Sequence, residues 1–515
     1  MAKNPSSKLV IRNASMKDVK EIHKLSIKTY KEMPPYSLDI IRAQINNFPE
    51  GHFVAVYEGK IVGYCSTIRV PEKLALGHHS WKEVTGGGYG STHDPKGTYL
   101  YGIDIFVDSD YRGLKIGERF YRERKKLCKY YRLKGIVFAG RMPLLSKRIK
   151  KVGTVENYIE QVKNKKIRDP VISFQIRNGF EIIGILKGYL PIDRESLGYA
   201  AHMLWKNPEY ADSPVSSALS PSRIPQSVRV ATVQYLQRRI NSLDEFNQIF
   251  RYFVDVASDY HCDFVLFPEL FTMQLLSIEN EPLSPHESIE RLTNYTDTLK
   301  TFFSEMAIKY NVNIIAGSHP VKIEEEVKNI SFICLRDGSI YEQMKIHATP
   351  NEKYWWNISG GEKLSVIETD CGNIGVLICY DIQFPELARH LVDQGANILF
   401  VPYMTEERQG YNRIRYCAQA RAIENQCYVI MSGNVGNLPR VHNMDINYAQ
   451  SCIITPCDFP FARDGIASDT TPNVETIAIS DISLQNLFES RNAGTVQNLK
   501  DRRHDLYSVT WNKKD

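Results

Sequence analysis

The chain has no apolar stretch long enough to span a bilayer, and the opening segment Met1 to Ser7 is short and polar. A membrane helix needs about 20 consecutive apolar residues, and a secretory signal needs an apolar core behind its first residues. Both absences predict a cytoplasmic protein with no membrane partner. Paired cysteines are missing too. The ten cysteines include no Cys-x-x-Cys, and Cys334, Cys371 and Cys452 sit inside apolar runs. That usage fits reduced thiols and argues against zinc or a disulfide scaffold. Charge of one sign is scarce. Sixty-four Lys and Arg against 59 Asp and Glu leave a net +5, which gives no case for nucleic acid. The one basic segment, Arg141 to Arg168, reads as a solvated face. No internal repeat is present.

What is there is ordinary globular material, 43% apolar and 24% charged, over 515 residues, enough for two or more domains. Ser and Pro crowd residues 209–227, which read as an exposed, semi-extended linker. The predicted division is therefore 1–208, linker 209–227, and 228–515.

In the C-terminal part, strands are expected at Val228 to Val233, Phe264 to Phe267, Asn313 to Gly317, Gly375 to Ile378, Ile398 to Val401 and Tyr428 to Ser432. A capping box, Ser242 to Glu245, should open a helix whose core face is Phe246, Ile249, Phe250, Phe253, Val254 and Ala257. A second helix is predicted over Leu292 to Tyr310. Such alternation is α/β architecture.

Three strand ends carry reactive groups. Val376 to Leu387 (VLICYDIQFPEL) runs from an apolar strand into Cys379, then a polar turn and a Pro-started helix. Val265 to Leu270 (VLFPEL) ends a strand on Glu269, and Gln343 to His347 (QMKIH) places Lys345 likewise. A thiol with the usual pKa of about 8.5 needs a base to attack a carbonyl or nitrile carbon. Glu269 is the candidate base, and Lys345 with the N–H of Tyr380 are candidate oxyanion donors.

Glu, Lys and Cys in this order, each at a strand end, resemble the nitrilase (carbon–nitrogen hydrolase) superfamily from about Val228 onward. Ala316 to Pro320, Thr349 to Glu352, Ala420 to Asn425 and Asp501 to Tyr507 add to the likeness, whereas Thr455 to Asp458 departs from the usual Pro-x-Gly. The resemblance implies an αββα sandwich, a homodimer or higher homo-oligomer, catalysis by Glu269, Lys345 and Cys379 with support from Glu352, no metal, and no cofactor for the hydrolase. It implies cleavage of a linear amide C–N bond in a small molecule through a thioester. Nitrile hydrolysis by the same triad is the alternative within the class.

The N-terminal part leads from Val10 to Ala14 into a helix over Asp18 to Tyr30, then a hairpin turning at Gly59. The strand Gly102 to Val107 is followed by Asp110 to Gly117 and a helix from Glu118 to Lys129. A strand, a glycine turn and a helix N-terminus make a phosphate site. This arrangement, with Phe174 to Phe180, resembles the GNAT acetyltransferase fold. The fold class is thus a GNAT-like α/β domain followed by a nitrilase-like domain, a fusion that resembles one branch of the nitrilase superfamily. Acetyl-CoA is the cofactor the likeness offers, held at Arg112, Gly113, Lys115, Ile116 and Gly117. Lys115 stands where the GNAT turn pattern has glycine. Its side chain can crowd the pyrophosphate, so weak binding is expected, or its charge can contact a phosphate. No general base stands out there, since Asp104 and Tyr131 hold positions that are more often structural, and Trp81 to Gly102 reads as a flexible loop, with a lid or acceptor-binding loop as the alternative. N-acetyl transfer and a non-catalytic assembly module are the two alternative roles for this part.

Overall fold

The computed structural model describes residues 8–31, 33–210, 227–279, 283–439, 441 and 446–512. Contacts divide the chain into two compact units, one within Lys8–Arg223 and one within Ile224–Asp515. Most of the expected linker, 211–226, lies outside the described residues.

The first unit is a seven-stranded sheet ordered β1-β2-β3-β4-β5-β7-β6. Its strands are β1 Leu9–Asn13, β2 Phe53–Tyr57, β3 Lys60–Val70, β4 Tyr99–Val107, β5 Gly135–Gly140, β6 Glu181–Leu186 and β7 Ala200–Lys206. The β2–β3 hairpin turns through Glu58 and Gly59, both at positive φ (46° and 81°), as the right-handed strand twist requires of a two-residue turn. β4 and β5 pair in parallel only from Tyr99↔Gly135 to Gly102↔Phe138. Beyond that point β5 continues against β7 alone. Helix Ile116–Tyr130 follows β4 and packs on it. The expected strand and helix are both present and begin a few residues earlier than the sequence suggested. The segment read as a flexible loop instead carries helix Trp81–Thr85, closed by Gly86 at φ 63°, and Gln44 Nε2 donates to Gly88 O at 2.7 Å.

In the second unit the path of strands is β11-β12-β10-β9-β8-β18-β17-β16-β15. These are β8 Ser227–Gln237, β9 Phe264–Leu266, β10 Asn313–Ile315, β11 His319–Ile323, β12 Glu326–Cys334, β15 Ile367–Thr369, β16 Gly372–Val376, β17 Ile398–Tyr403 and β18 Tyr428–Gly436, while β13 Ile340–Met344 and β14 Ile358–Ser359 pair with β12 off this path. Strand alternation makes the layers. Val228, Val230, Phe264 and Leu266 face a core shared with Ile374, Val376 and Phe400 of the other half-sheet. Ala231, Val233, Val265 and Phe267 face outward onto Phe246, Phe250 and Phe303 of two covering helices, Leu243–Asp259 and Thr296–Tyr310. Helices Pro385–Asp393 and Arg408–Glu424 cover the opposite side through Leu387, Leu391, Ala418 and Ala422. The result is helix, sheet, sheet, helix.

Two local expectations need correction. The helix predicted over Leu292 to Tyr310 is two, Pro285–Thr293 and Thr296–Tyr310, broken at Asn294 and Tyr295. Only half of the Ser242 capping box forms. Ser242 Oγ accepts Glu245 N–H, but the Glu245 carboxylate turns to Asn241 N at 2.9 Å. Asn241 offers both its backbone and its side-chain N–H to that carboxylate.

Gly433 in β18 shows how tightly the sheet is packed beside the site. A Cβ there would lie 2.4 Å from Tyr403 Cζ and 2.6 Å from Ala449 Cβ. Gly433→Ala should lower unfolding stability by about 1–3 kcal/mol in urea denaturation. A loss below about 0.5 kcal/mol would mean that the Tyr403 ring moves aside freely.

Candidate active site

Four sequence-expected side chains meet in the second unit, Glu269, Lys345 and Cys379 just beyond strand ends and Glu352 in the first turn of a helix. β9 ends at Leu266, and Glu269 follows Phe267 and Pro268. The backbone then turns sharply, with Leu270 at φ 50°. Three contacts hold that turn. Asn434 Nδ2 donates to Glu269 O at 2.6 Å, and Leu270 N–H donates to Ser318 Oγ at 3.1 Å. Gly317, at φ 56°, lets Pro268 approach, because a Cβ would sit 1.9 Å from Pro268 O. The Ala316 to Pro320 motif is therefore a seat for the Glu269 turn.

Lys345 follows β13, and its N–H donates to Asn329 O at 2.8 Å. Glu352 is the third residue of helix Pro350–Trp356 and closes a capping box with Thr349, its Oε2 accepting Thr349 N–H at 2.7 Å. Cys379 begins a short 3-10 helix, Cys379–Gln383, three residues after the end of β16, with φ 49°. A left-handed backbone at a non-glycine residue costs about 1–2 kcal/mol and persists only where surroundings impose it. Arg421 does so from behind, donating to Ile382 O and Gln383 O at 3.1 Å each. Asp381 clamps this turn to the lysine segment, accepting Ile346 N–H at 3.0 Å and His347 N–H at 2.8 Å. The Ala420 to Asn425 motif thus contributes Arg421 as a buttress.

The functional groups then interlock. Lys345 Nζ donates to Glu269 Oε1 at 2.7 Å and Glu352 Oε2 at 2.6 Å. Asn329 Nδ2 donates to Oε1 of both carboxylates at 3.0 Å. Met404 N–H donates to Glu269 Oε2 at 3.0 Å, while the Cys379 thiol donates to Met404 O at 3.7 Å, so one backbone residue joins the two groups. All of these side chains are at most 6% exposed, Met404 aside.

Burial sets the proton affinities. It pushes the Cys379 thiol well above its ordinary range, and the Glu269 charge adds to this. Burial also raises Glu269, and Lys345 offsets it only in part. Burial acts on Glu352 in the same sense, but Lys345, Thr349 N–H and Asn329 outweigh it and leave that carboxyl low. Burial opposes the Lys345 charge, yet the two carboxylates hold the ammonium well above normal. One carboxylate is thus committed as counter-ion and the other is poised to take a proton.

Tyr380 adjoins Cys379, its ring edge-on to Phe384 at 5.0 Å. His319 is fully buried against Thr272 Oγ1 at 2.9 Å, and burial lowers its pKa to about 3, so it is a neutral structural residue. Sequence reasoning missed Asn329 and Met404. Asn329 was findable as a polar residue in the buried run of β12, whereas Met404 acts through its backbone and leaves no signal.

In the first unit, Arg112 to Lys115 form the turn before helix Ile116–Tyr130, with Gly113 at φ 99° and Lys115 at φ 52° as N-cap, and Ile116 and Gly117 open the helix. Lys115 takes the backbone conformation that a glycine would take. Asp104 accepts hydrogen bonds from the Tyr30 and Tyr36 hydroxyls. Tyr131 lies under the Arg69 guanidinium, 4.8 Å from ring to carbon.

Lys345→Met tests the electrostatics without any substrate. Two buried carboxylates would then face each other, and both folded-state pKa values would rise above the unfolded value of about 4.3. A raised carboxyl pKa gives stability that is present at low pH and lost as pH rises. The variant should therefore lose about 3–5 kcal/mol at pH 7.5 and much less near pH 5. Equal losses at both pH values, in urea melts, would contradict the charge arrangement.

Comparison with known proteins identifies the families of both units. The family model "Carbon-nitrogen hydrolase" matches residues 229–492, and "Acetyltransferase (GNAT) family" matches residues 18–142. A "Probable hydrolase YhcX" of Bacillus subtilis is 46% identical over 506 residues, 98% of each chain. An "Uncharacterized N-acetyltransferase YkwB" of the same organism is 33% identical over 206 residues, 39% of this chain and 90% of its own. A "Deaminated glutathione amidase" of Synechocystis is 32% identical over 196 residues, 36% of this chain and 69% of its own. The chain belongs to the carbon–nitrogen hydrolase (nitrilase) superfamily, in a form that carries an N-terminal GNAT domain, and it is a hydrolase of non-peptide carbon–nitrogen bonds.

Proposed function

We propose that residues 228–515 hydrolyse a linear amide through a thioester on Cys379. The observation that carries this reading is Lys345 Nζ held between Glu269 and Glu352, with Met404 joining Glu269 to the Cys379 thiol through its N–H and C=O. Glu269 takes the thiol proton as sulfur adds to the amide carbon. The new oxyanion lies against Lys345 Nζ and the Tyr380 N–H. Two of the three ammonium protons already point at carboxylates, which leaves one for the substrate oxygen. Protonated Glu269 gives its proton to the leaving nitrogen, and ammonia or an amine departs. Glu269 then takes a proton from water, hydroxide adds to the thioester, and collapse returns the proton to sulfur as the carboxylic acid leaves. Glu352 stays ionised throughout as the partner of Lys345. The 32%-identical deaminated glutathione amidase supports an amide over a nitrile.

Ammonia release from short linear carboxamides should vanish in Cys379→Ala. Mass spectrometry of wild type with a slow analogue should place the acyl adduct on the Cys379 peptide. An adduct on another cysteine, with Cys379→Ala still active, would defeat the mechanism. Glu269→Gln should slow both acylation and deacylation, because one carboxylate serves both steps.

For the N-terminal unit, residues 1–208 joined through 209–227, we propose that the Arg112, Gly113, Lys115, Ile116 and Gly117 turn holds the pyrophosphate of acetyl-CoA. Backbone fit supports this. Gly113 and Lys115 both adopt left-handed conformations, and a Cβ on Gly113 would meet nothing within 4 Å. The first-turn N–H groups of a 15-residue helix favour a phosphate. Bound there, acetyl-CoA would supply a transferable acetyl group. Calorimetric titration of the whole protein should give micromolar binding, weakened in Lys115→Ala if the ammonium contacts phosphate. No heat with either protein would exclude the cofactor.

A further inference from the structure

The Cys379 mechanism uses four side chains, but a fifth touches three of those residues. Asn329 lies on β12 and is 1% exposed. Its carbonyl accepts the Lys345 N–H at 2.8 Å. Its side-chain nitrogen donates to Glu269 Oε1 and Glu352 Oε1, both at 3.0 Å. Its side-chain oxygen, Oδ1, has no hydrogen-bond partner although it is buried. An amide usually turns to satisfy its oxygen. Here both N–H groups are directed at carboxylates and the oxygen goes without. The reverse orientation would point oxygen lone pairs at two negative charges.

We propose that Asn329 is a positioning residue of this reaction, whose amide bridges Glu269 and Glu352 and keeps Glu269 ready to accept the thiol proton. The proposal rests on the reading of Glu269 as base. The titratable groups facing Glu269 are Lys345, Glu352 and Cys379. Lys345 neutralises one carboxylate charge and leaves one in excess. Burial then drives Glu269 towards the protonated state, in which it cannot act as base. A hydrogen bond from a neutral donor favours the ionised form without adding charge. A second cation in its place would hold Glu269 ionised too firmly to carry the proton. An aspartate would add a third negative charge. An amide, with two N–H groups and no charge, suits two carboxylates about one ammonium. Asn329 does not touch the reacting atoms, so its effect should appear in proton affinity rather than in substrate binding.

Iodoacetamide, a small amide-bearing electrophile, reports on this without knowledge of the substrate. Alkylation of the Cys379 peptide would be followed by mass spectrometry across pH in the full-length protein, with exposed Cys457 as internal reference. In wild type the inactivation rate constant should rise along a limb set by Glu269. Asn329→Leu should move that limb to higher pH by about one unit or more, the size expected for losing a hydrogen bond to a charged group. The half-saturating iodoacetamide concentration should stay within twofold, and the Cys457 profile should not move. An unmoved limb in folded Asn329→Leu overturns the proposal. If that variant does not fold, the smaller and equally uncharged Asn329→Ala decides. A raised limb supports the bridge, and a wild-type profile overturns it. Glu269→Gln separates the two ideas. The limb should disappear there. If it persists, the base assignment itself is wrong, whatever Asn329 does.

Discussion

One ammonium group holds two carboxylates inside a protein interior, and the rest of the hydrolase unit is arranged around that fact. Lys345, Glu269 and Glu352 are each at most 3% exposed. Charges removed from water at this depth destabilise the fold unless the geometry is good and every lone pair is engaged. Each carboxylate oxygen has a donor: Lys345, Asn329, Met404 N–H or Thr349 N–H. The donors come from β12, β13, the end of β17 and a helix N-cap. The cluster is therefore satisfied only when several elements, distant in sequence, are in register. Correct folding of the half-sheets and solvation of the charges become a single requirement.

The same constraint explains the strained backbones. Leu270 and Cys379 both adopt left-handed φ beside the residues that carry chemistry. Neither position could keep that conformation alone. Gly317 and Ser318 seat the first, while Arg421 and Asp381 seat the second. The glutamate turn and the cysteine turn are thus fixed independently, and the lysine segment is tied to the cysteine turn by Asp381.

Much of this was legible in the sequence, for identifiable reasons. Strand ends are readable because an apolar run stops at a polar or reactive residue, and Glu269, Lys345 and Cys379 all carry that mark. Short motifs such as Ala316 to Pro320 and Ala420 to Asn425 were visible, but their work was not. Gly317 matters because a carbonyl from another strand approaches it, and no local pattern encodes that approach. Asn329 was hidden inside a strand whose neighbours are core residues. Met404 could not be seen at all, since any residue supplies its N–H and C=O. The break at Asn294 and Tyr295 escaped because helical periodicity persists through it. Lys115 was readable for what its side chain could do to a phosphate, whereas its backbone conformation, at φ 52°, carried no mark in the sequence.

The charge count of the cluster also bears on traffic through the site. With both carboxylates ionised, one cation and two anions leave a single net negative charge in the buried cluster. A neutral guest meets little resistance from that field. An anion about 4 Å away would meet roughly 4 kcal/mol of repulsion at an effective dielectric of about 20. A reaction that turns a neutral acyl group into a carboxylate at that spot creates its product in a place that repels it. The buried ion cluster would then act as a one-way valve, admitting the uncharged form of a molecule and ejecting the charged form it becomes.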